Sequence, residues 1–265
     1  MLTESRVLVV IPARWASSRF PGKPLANIAG IPMIQRVVAQ ANKANCVSEV
    51  IVATDDLRIL DFVEENGGTA IMTSTEHESG TDRIVEVVRD RDCDIVVNVQ
   101  GDEPLISPQN IDQVIRALVD DSTISVTSLR VLIRNKSDLL NKNITKVVVD
   151  KFDSALYFSK APIPWDRDLW SESIDDISEI SSSRWFKHIG LYAYRKRFLM
   201  EYSLMPKLPL EKIEKLEQLR ILENGIPIKV LETKFDSIGV DSQADIETIE
   251  KQLAISPKNI SPRGA

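Results

Sequence analysis

A doubly wound α/β fold, with a mostly parallel sheet and helices on both of its faces, is the fold class that this 265-residue chain predicts. Three observations lead there. Several apolar runs are continuous and β-branched instead of alternating, which marks strands buried on both faces. Segments with helical apolar spacing separate those runs in a strand-then-helix rhythm. Gly and Pro punctuate the joints between them.

Val7-Leu8-Val9-Val10-Ile11 is the first buried strand. Residues 32–42 follow with apolar side chains at Met33, Ile34, Val37, Val38 and Ala41, one helical face. Residues 50–53 are strand-like, and residues 57–65 are helix-like and stopped by Gly67-Gly68. A short strand is expected over 70–72, a helix over 81–89 and a buried strand over 95–99. Ser107-Pro108 opens the next helix as a polar cap followed by Pro in the first turn, running to about residue 119. In such sheets ligands sit at the carboxyl ends of the strands, so the loops there are where chemistry is expected.

Near Asn135 the rhythm changes. Residues 147–150 and 156–159 form two short strands about a Lys151-Phe152-Asp153 turn. A Pro/Trp-rich stretch (162–170) and a Ser-rich acidic loop (171–183) come next, and Trp165, Trp170 and Trp185 lie in this region. Its aromatic residues suit either a protein interface or a small satellite core. A strand is expected over 188–194. Leu210, Ile213, Leu216, Leu219 and Leu222 mark one helix ended by Asn224-Gly225, and a last helix spans 242–253. The expected organisation is a core over 1–134, a small α/β insertion over 135–195, the rest of the core over 196–253, and a disordered polar tail over 254–265.

Charge narrows the function. Against 33 Lys plus Arg stand 39 Asp plus Glu, a net −6, which argues against a dedicated nucleic-acid binder. The distribution is uneven, because residues 1–50 hold six cations (Arg6, Arg14, Arg19, Lys23, Arg36, Lys43) and two anions (Glu4, Glu49). Cys46 and Cys93 are isolated, with no metal-binding spacing, and the first apolar run is too short to span a bilayer. A cytoplasmic protein with no membrane span is expected.

The loop after the first strand carries Arg14, Arg19 and Lys23 but neither a dinucleotide nor a P-loop glycine pattern. Three cations at the end of a buried strand suit a triphosphate held largely by side-chain charge. A solvated basic loop is the plainer reading, but Pro12, Pro21 and Pro24 stiffen this one, as befits a site. Gln100 and Asp102 end another buried strand, with Gly101 allowing close approach. Asp102 could bind a divalent cation or make an Asx turn before Pro104. Asp241 could do the same or cap the last helix. Ser79-Gly80-Thr81-Asp82-Arg83 opens a helix, so it suits a nucleotide contact and simple capping equally. His188, Gly190 and Tyr192 share one strand face, where core filling is the bland alternative. Glu211 begins a helix, where an acid is favourable in any case.

Taken together, Pro12-Ala13-Arg14, Ser17-Ser18-Arg19-Phe20-Pro21-Gly22-Lys23-Pro24-Leu25, Ser79-Gly80-Thr81-Asp82-Arg83, Asn98-Val99-Gln100-Gly101-Asp102-Glu103-Pro104, Ile163-Pro164-Trp165, His188-Ile189-Gly190-Leu191-Tyr192, the stretch from Leu210 to Leu219 and Gly239-Val240-Asp241 resemble the sugar nucleotidylyltransferases, over about residues 6–253. The likeness is strongest to those that activate the acid sugar 3-deoxy-manno-octulosonate (Kdo) with CTP. The resemblance implies a nucleotide-diphospho-sugar transferase-like fold and a homodimer formed through the insertion. It implies Asp102 and Asp241 as Mg²⁺ ligands, and Arg14 and Lys23 as catalytic cations. Arg14, Arg19, Lys23, Ser79, Gly80 and Arg83 would contact the nucleotide. Gln100, Lys160, His188, Tyr192 and Glu211 would contact the sugar. The family pattern has Arg after Tyr-Phe-Ser to hold the sugar carboxylate; here Lys160 follows Tyr157-Phe158-Ser159. Lysine keeps the charge and loses the bidentate fork, so an 8-amino analogue of Kdo, or another acid sugar such as sialic acid, is an alternative substrate.

Overall fold

The structure is a computed structural model that describes residues 5–16, 20–167, 170 and 185–255. The chain runs β1 (Val7–Ala13), a 3-10 turn (Lys23–Leu25), a small hairpin of β2 (Asn27–Ile28) and β3 (Ile31–Pro32), α1 (Met33–Ala41), β4 (Glu49–Thr54), α2 (Leu57–Glu65), β5 (Thr69–Met72), α3 (Gly80–Val88), β6 (Ile95–Asn98) and α4 (Pro108–Asp120). It continues with β7 (Val126–Leu132), α5 (Lys136–Leu140), β8 (Lys146–Val149), β9 (Ala155–Ser159), β10 (Phe186–Arg195), α6 (Lys196–Ser203), α7 (Pro209–Glu214), α8 (Gln218–Glu223), β11 (Lys229–Glu232) and α9 (Gln243–Ile255).

The main sheet has the order β11-β7-β10-β6-β1-β4-β5. All neighbours pair in parallel except those of β10, which runs against both β6 and β7. The continuous apolar run of β1 explains the double winding. Val7, Val9 and Ile11 enter a core with Ile34 and Val37 of α1, Ile59 of α2 and Ile111 and Ile115 of α4. Leu8 and Val10 point the other way, into a core with Ile84 and Val88 of α3 and Leu199 of α6. Each such buried aliphatic contributes about 1.5–3 kcal/mol, so a strand buried on both faces admits no polar alternation. The chain winds outward from β1 to β4 and β5, then crosses back to β6 on the other side of β1. This reversal makes the carboxyl ends of β1 and β6 the switch point, where a ligand crevice belongs.

Two expectations change on contact with the structure, the single helix near residue 216 and the cap at Ser107. The single helix expected over 210–222 is two, because Lys215 adopts a left-handed backbone (φ 57°) that ends α7 and turns the chain into α8. Ile213 is accordingly exposed. Ser107 sits before α4, but its hydroxyl donates to Gln109 Oε1 and caps no amide. β8 and β9 join the main sheet through β10. Trp170 and Trp185 stack 5.4 Å apart and are buried with Ile133 and Leu139 as a satellite core, whereas Trp165 is exposed. The Ser-rich loop over 171–183 and the tail beyond residue 255 lie outside the described residues. Among the described residues no helix is long and apolar enough to cross a membrane.

Candidate active site

The loop leaving β1 is shaped before it is charged. Gly22 donates its amide to the Trp15 carbonyl (3.0 Å) and takes φ +71°, where a Cβ would meet the Trp15 ring at 3.1 Å. Arg58, paired with Asp56, lies 3.4 Å over the Trp15 ring. This closure delivers Lys23 at the start of the 3-10 turn. The loop leaving β6 approaches from beside it. At Gly101 an added Cβ would lie 2.7 Å from the Pro12 carbonyl oxygen, so only glycine lets this loop touch the end of β1.

A third segment completes the group. Val240 donates its amide to the Asp102 carbonyl (2.9 Å). The Asp245 carboxylate accepts from the Asp241 and Ser242 amides and from the Ser242 hydroxyl, which sets the turn presenting Asp241. Lys23 Nζ lies 2.7 Å from Asp102 Oδ2 and 3.8 Å from Asp241 Oδ1, and donates to the Val240 carbonyl at 2.5 Å. Both carboxylates therefore converge on one cation position, ringed by oxygen. Two carboxylates with room for outside oxygen donors are the set that Mg²⁺ accepts, so the residues fit that ion. Among the described residues no group of three or more acidic, His or Cys ligands competes for it.

Beside this group lies a polar cavity of about 230 Å³ lined by Gly80, Thr81, Gln100, His188, Tyr192 and Glu217 among others. A larger one of about 730 Å³ shares His188 and Gly190 with it and reaches Glu103, Lys187 and Asp241. β10 slips register between Ile189 and Ala193, and this irregularity falls at the shared wall. His188 is buried, with its ring edge-on to Phe158. Burial pushes its imidazole down to about 3, so it is neutral at physiological pH. The tautomer follows from Ser128, whose one hydroxyl proton goes to the Leu191 (2.9 Å) or Ile189 (3.2 Å) carbonyl. Ser128 Oγ then accepts from His188 Nε2–H at 2.8 Å, which leaves Nδ1 an acceptor. The Tyr192 hydroxyl is buried and has no hydrogen-bond partner. An orphaned hydroxyl on a cavity wall is ready for a ligand oxygen. The Gln100 amide nitrogen is tied to Asn98 Oδ1 (3.0 Å), so its carbonyl oxygen remains to accept.

Other sequence candidates take different places. Ser79 and Asp82 form a reciprocal capping box at α3, which occupies the Ser79 hydroxyl. The Arg83 side chain is fully buried, bound to Asp55 (2.7 Å) and to the Thr73 hydroxyl, and stands beneath the loops. Arg14 is close enough to lower the Arg83 pKa, so the two guanidiniums share one neighbourhood. Glu211 is buried in a bidentate pair with Arg220 (2.6 and 2.5 Å), and Glu217 lines the smaller cavity in its stead. Lys160 donates to the Asn143 carbonyl (2.8 Å); desolvation lowers its pKa while Asp241 and Glu214 oppose that. Arg19 lies outside the described residues.

Sequence reasoning assigned no role to Glu103, Glu217 or Lys146. The first two stand inside motifs quoted above, so the signal was present and unused. Desolvation pushes the Glu103 carboxyl up to about 7 while Ser237 donates to it. Lys146 gives its ammonium to the carbonyls of Asn141, Ile144 and Lys160, fixing the wall that includes Thr145. Nothing in a Lys-Val-Val-Val strand foretells that.

Fold and site together define a nucleotidyltransferase of the doubly wound class: cations and an acid pair at the switch point, facing a polar cavity. The chain belongs to the cytidylyltransferase family, whose model matches residues 8–234. A 3-deoxy-manno-octulosonate cytidylyltransferase of Trichlorobacter lovleyi is 49% identical over 248 residues, 94% of this chain and 98% of that protein. One from Geotalea daltonii is 50% identical, with the same coverage of both. The solved structure of a CMP:2-keto-3-deoxy-manno-octonic acid synthetase complexed with CTP is 42% identical, with TM-score 0.86, over 95% of this chain and all (100%) of that one. A 4-diphosphocytidyl-2C-methyl-D-erythritol synthase from Anaerococcus prevotii, 15% identical with TM-score 0.60 over 95% of this chain and 100% of that one, shares the fold.

Proposed function

We propose that the chain joins CTP to Kdo: the anomeric hydroxyl gives its proton to solvent as its oxygen bonds to the α-phosphorus, the bond to the β-phosphate oxygen breaks, and CMP-Kdo and pyrophosphate leave. The observation that carries this reading is the convergence of Asp102 and Asp241 on one cation position, beside a cavity that offers neutral His188 and the unpartnered Tyr192 hydroxyl. The relatives' activity and the CTP in the related structure support it. Arg14, Arg19 and Lys23 neutralise charge on the phosphates, and the Gly80 end of α3 offers backbone donors to the nucleotide. Lys160 faces the sugar carboxylate as a point charge. His188 Nδ1 and the Gln100 carbonyl accept from sugar hydroxyls, and the Tyr192 hydroxyl takes up a sugar oxygen. Glu211 acts indirectly, by holding Arg220 at the base of the α7–α8 corner.

Asp102 and Asp241 would hold Mg²⁺, which when bound polarises phosphate oxygen and offsets triphosphate charge. The protein works as a cytoplasmic homodimer. A pyrophosphate-release assay crossing the four nucleoside triphosphates with Kdo, its 8-amino analogue and sialic acid tests the substrate assignment. CTP with Kdo should give the highest rate, and preference for another acid sugar would refute it. Asp102→Asn and Asp241→Asn should each lower the Mg²⁺-dependent rate by on the order of 10³-fold. Near-normal turnover in either would sink the metal assignment. Sedimentation at micromolar concentration should give twice the chain mass of 29.7 kDa.

A further inference from the structure

We propose that Lys23 is a built-in counter-ion that closes the acid pair to a bare divalent cation and releases it when a triphosphate arrives. The inference rests on the metal reading given above. One side chain then has two stations.

The first station is the position Lys23 occupies in the fold. Lys23 Nζ lies 2.7 Å from Asp102 Oδ2 and 3.8 Å from Asp241 Oδ1, and it donates to the Val240 carbonyl at 2.5 Å. Its side chain is only 15% exposed, although the carboxylates are 33% and 49% exposed. The ammonium is thus the most enclosed member of the three. A Mg²⁺ ion takes its oxygens at about 2.0–2.1 Å, so an ion joining these two carboxylates needs the space the ammonium fills. Two cations cannot share it.

The second station follows from chemistry. An ammonium withdrawn from two carboxylates and a carbonyl leaves charge-assisted partners, and a second anion offers contacts of the same kind. A triphosphate is that anion, and the loop bearing Lys23 leaves the end of β1 where the phosphates would lie. The backbone need not move. Gly22 and Pro24 fix the turn on either side of Lys23, and the four-carbon stem supplies the swing. An arginine fork, with its five donors on a rigid plane, would not exchange partners this way. Metal and triphosphate binding are therefore coupled, each favouring the other.

Mn²⁺ serves as the probe, read by the electron paramagnetic resonance of the free ion and by water proton relaxation. Titrations use the full-length chain without nucleotide, as wild type, Lys23→Met and Lys23→Gln. The Gln variant keeps a donor for the Val240 carbonyl and so guards against collapse of the loop. Both variants should bind Mn²⁺ more tightly than wild type by on the order of ten-fold. Adding Asp102→Asn to Lys23→Gln should erase the gain. Equal Mn²⁺ affinity in wild type and both variants overturns the counter-ion role and leaves the metal reading standing. No protein-bound Mn²⁺ in any of them, with CTP present or absent, overturns the metal reading and the counter-ion role together.

Discussion

Acidification from about pH 7.5 to about pH 5 should destabilise the folded chain through His188 in particular. In the folded protein its imidazole stays neutral down to about 3, because burial disfavours the charged ring and Lys160 adds repulsion. In the unfolded chain it titrates near the ordinary 6.5. Between those values unfolding takes up a proton, so stability rises with pH across that window. The contribution is complete above 6.5 and is lost as the pH falls toward 3. At pH 5, about 1.5 below the free imidazole's midpoint, the loss is about 2 kcal/mol at 1.36 kcal/mol per pH unit. Urea unfolding of wild type and His188→Gln at both pH values isolates this, because every other titrating group is common to the two proteins. Gln keeps an amide donor for Ser128 and gives up the ring contact with Phe158 at 4.9 Å, so the variant starts less stable. The wild type should nevertheless lose about 2 kcal/mol more than the variant on acidification. A difference below about 0.5 kcal/mol would mean the ring charges in place, and the neutral acceptor assigned to the sugar pocket would fall with it.

Tyr192→Phe removes a buried hydroxyl that has no partner, so stability in urea should stay level or rise by about 1 kcal/mol, while KM for the acid sugar rises about five-fold. Tyr202→Phe is the contrast: its hydroxyl donates to the Glu217 carbonyl at 2.9 Å, and its loss should cost about 1 kcal/mol in the same titration. Gly101→Ala drives a Cβ against the Pro12 carbonyl, which should cost about 1–3 kcal/mol and displace Asp102; kcat should fall by on the order of 10²-fold in the pyrophosphate assay. Arg220→Met strands the Glu211 carboxylate in the interior at about 3–5 kcal/mol, and adding Glu211→Gln should recover part of that in denaturant titrations.

Much of the frame was legible because it follows from local apolar pattern. β1 and β6 are written as uninterrupted β-branched runs, and α2 ends just before Gly67-Gly68, the stop that places it. β7 escaped because three of its buried residues are polar. Thr127 donates to the Val114 carbonyl, Ser128 serves β10, and Arg130 reaches Asp153 and the Val230 carbonyl, so the strand shows no apolar signature. The break at Lys215 escaped because leucine spacing continues through it; a backbone angle, and no residue type, divides the helix. At the site, charge and strand position were enough to single out Lys23 and Asp102. That Ser79 is a cap and Arg83 a buried support depends on Asp82, Asp55 and Thr73. Those partners belong to the folded state, and nothing in the loop's own composition selects them.

The acid pair is assembled by long-range contacts, with Lys23 and Val240 217 positions apart, and this ties its chemistry to the docking of one peripheral helix. Asp241 is brought to Asp102 by the segment before α9, and that segment is held by a separate apolar cluster of Ile28, Met33, Val240, Ile246 and Ile249. The cluster joins the end of the chain to the hairpin and helix that follow the Lys23 turn. Glu250 accepts from the Ala29 amide at 2.7 Å, and Arg36 fixes the same hairpin through the Ile28 carbonyl. The same Val240 buries its side chain in this cluster, donates to Asp102 and accepts from Lys23. One residue thus sits on both the apolar and the ionic side of the joint. Two carboxylates brought together repel, and a lone surface ion pair would not hold them in place. The apolar cluster supplies the non-directional attraction, the Val240 backbone supplies direction, and Lys23 cancels charge. Without the cluster Asp241 has no reason to stay, and Lys23–Asp102 alone is an ordinary ion pair that offers a metal one carboxylate instead of two.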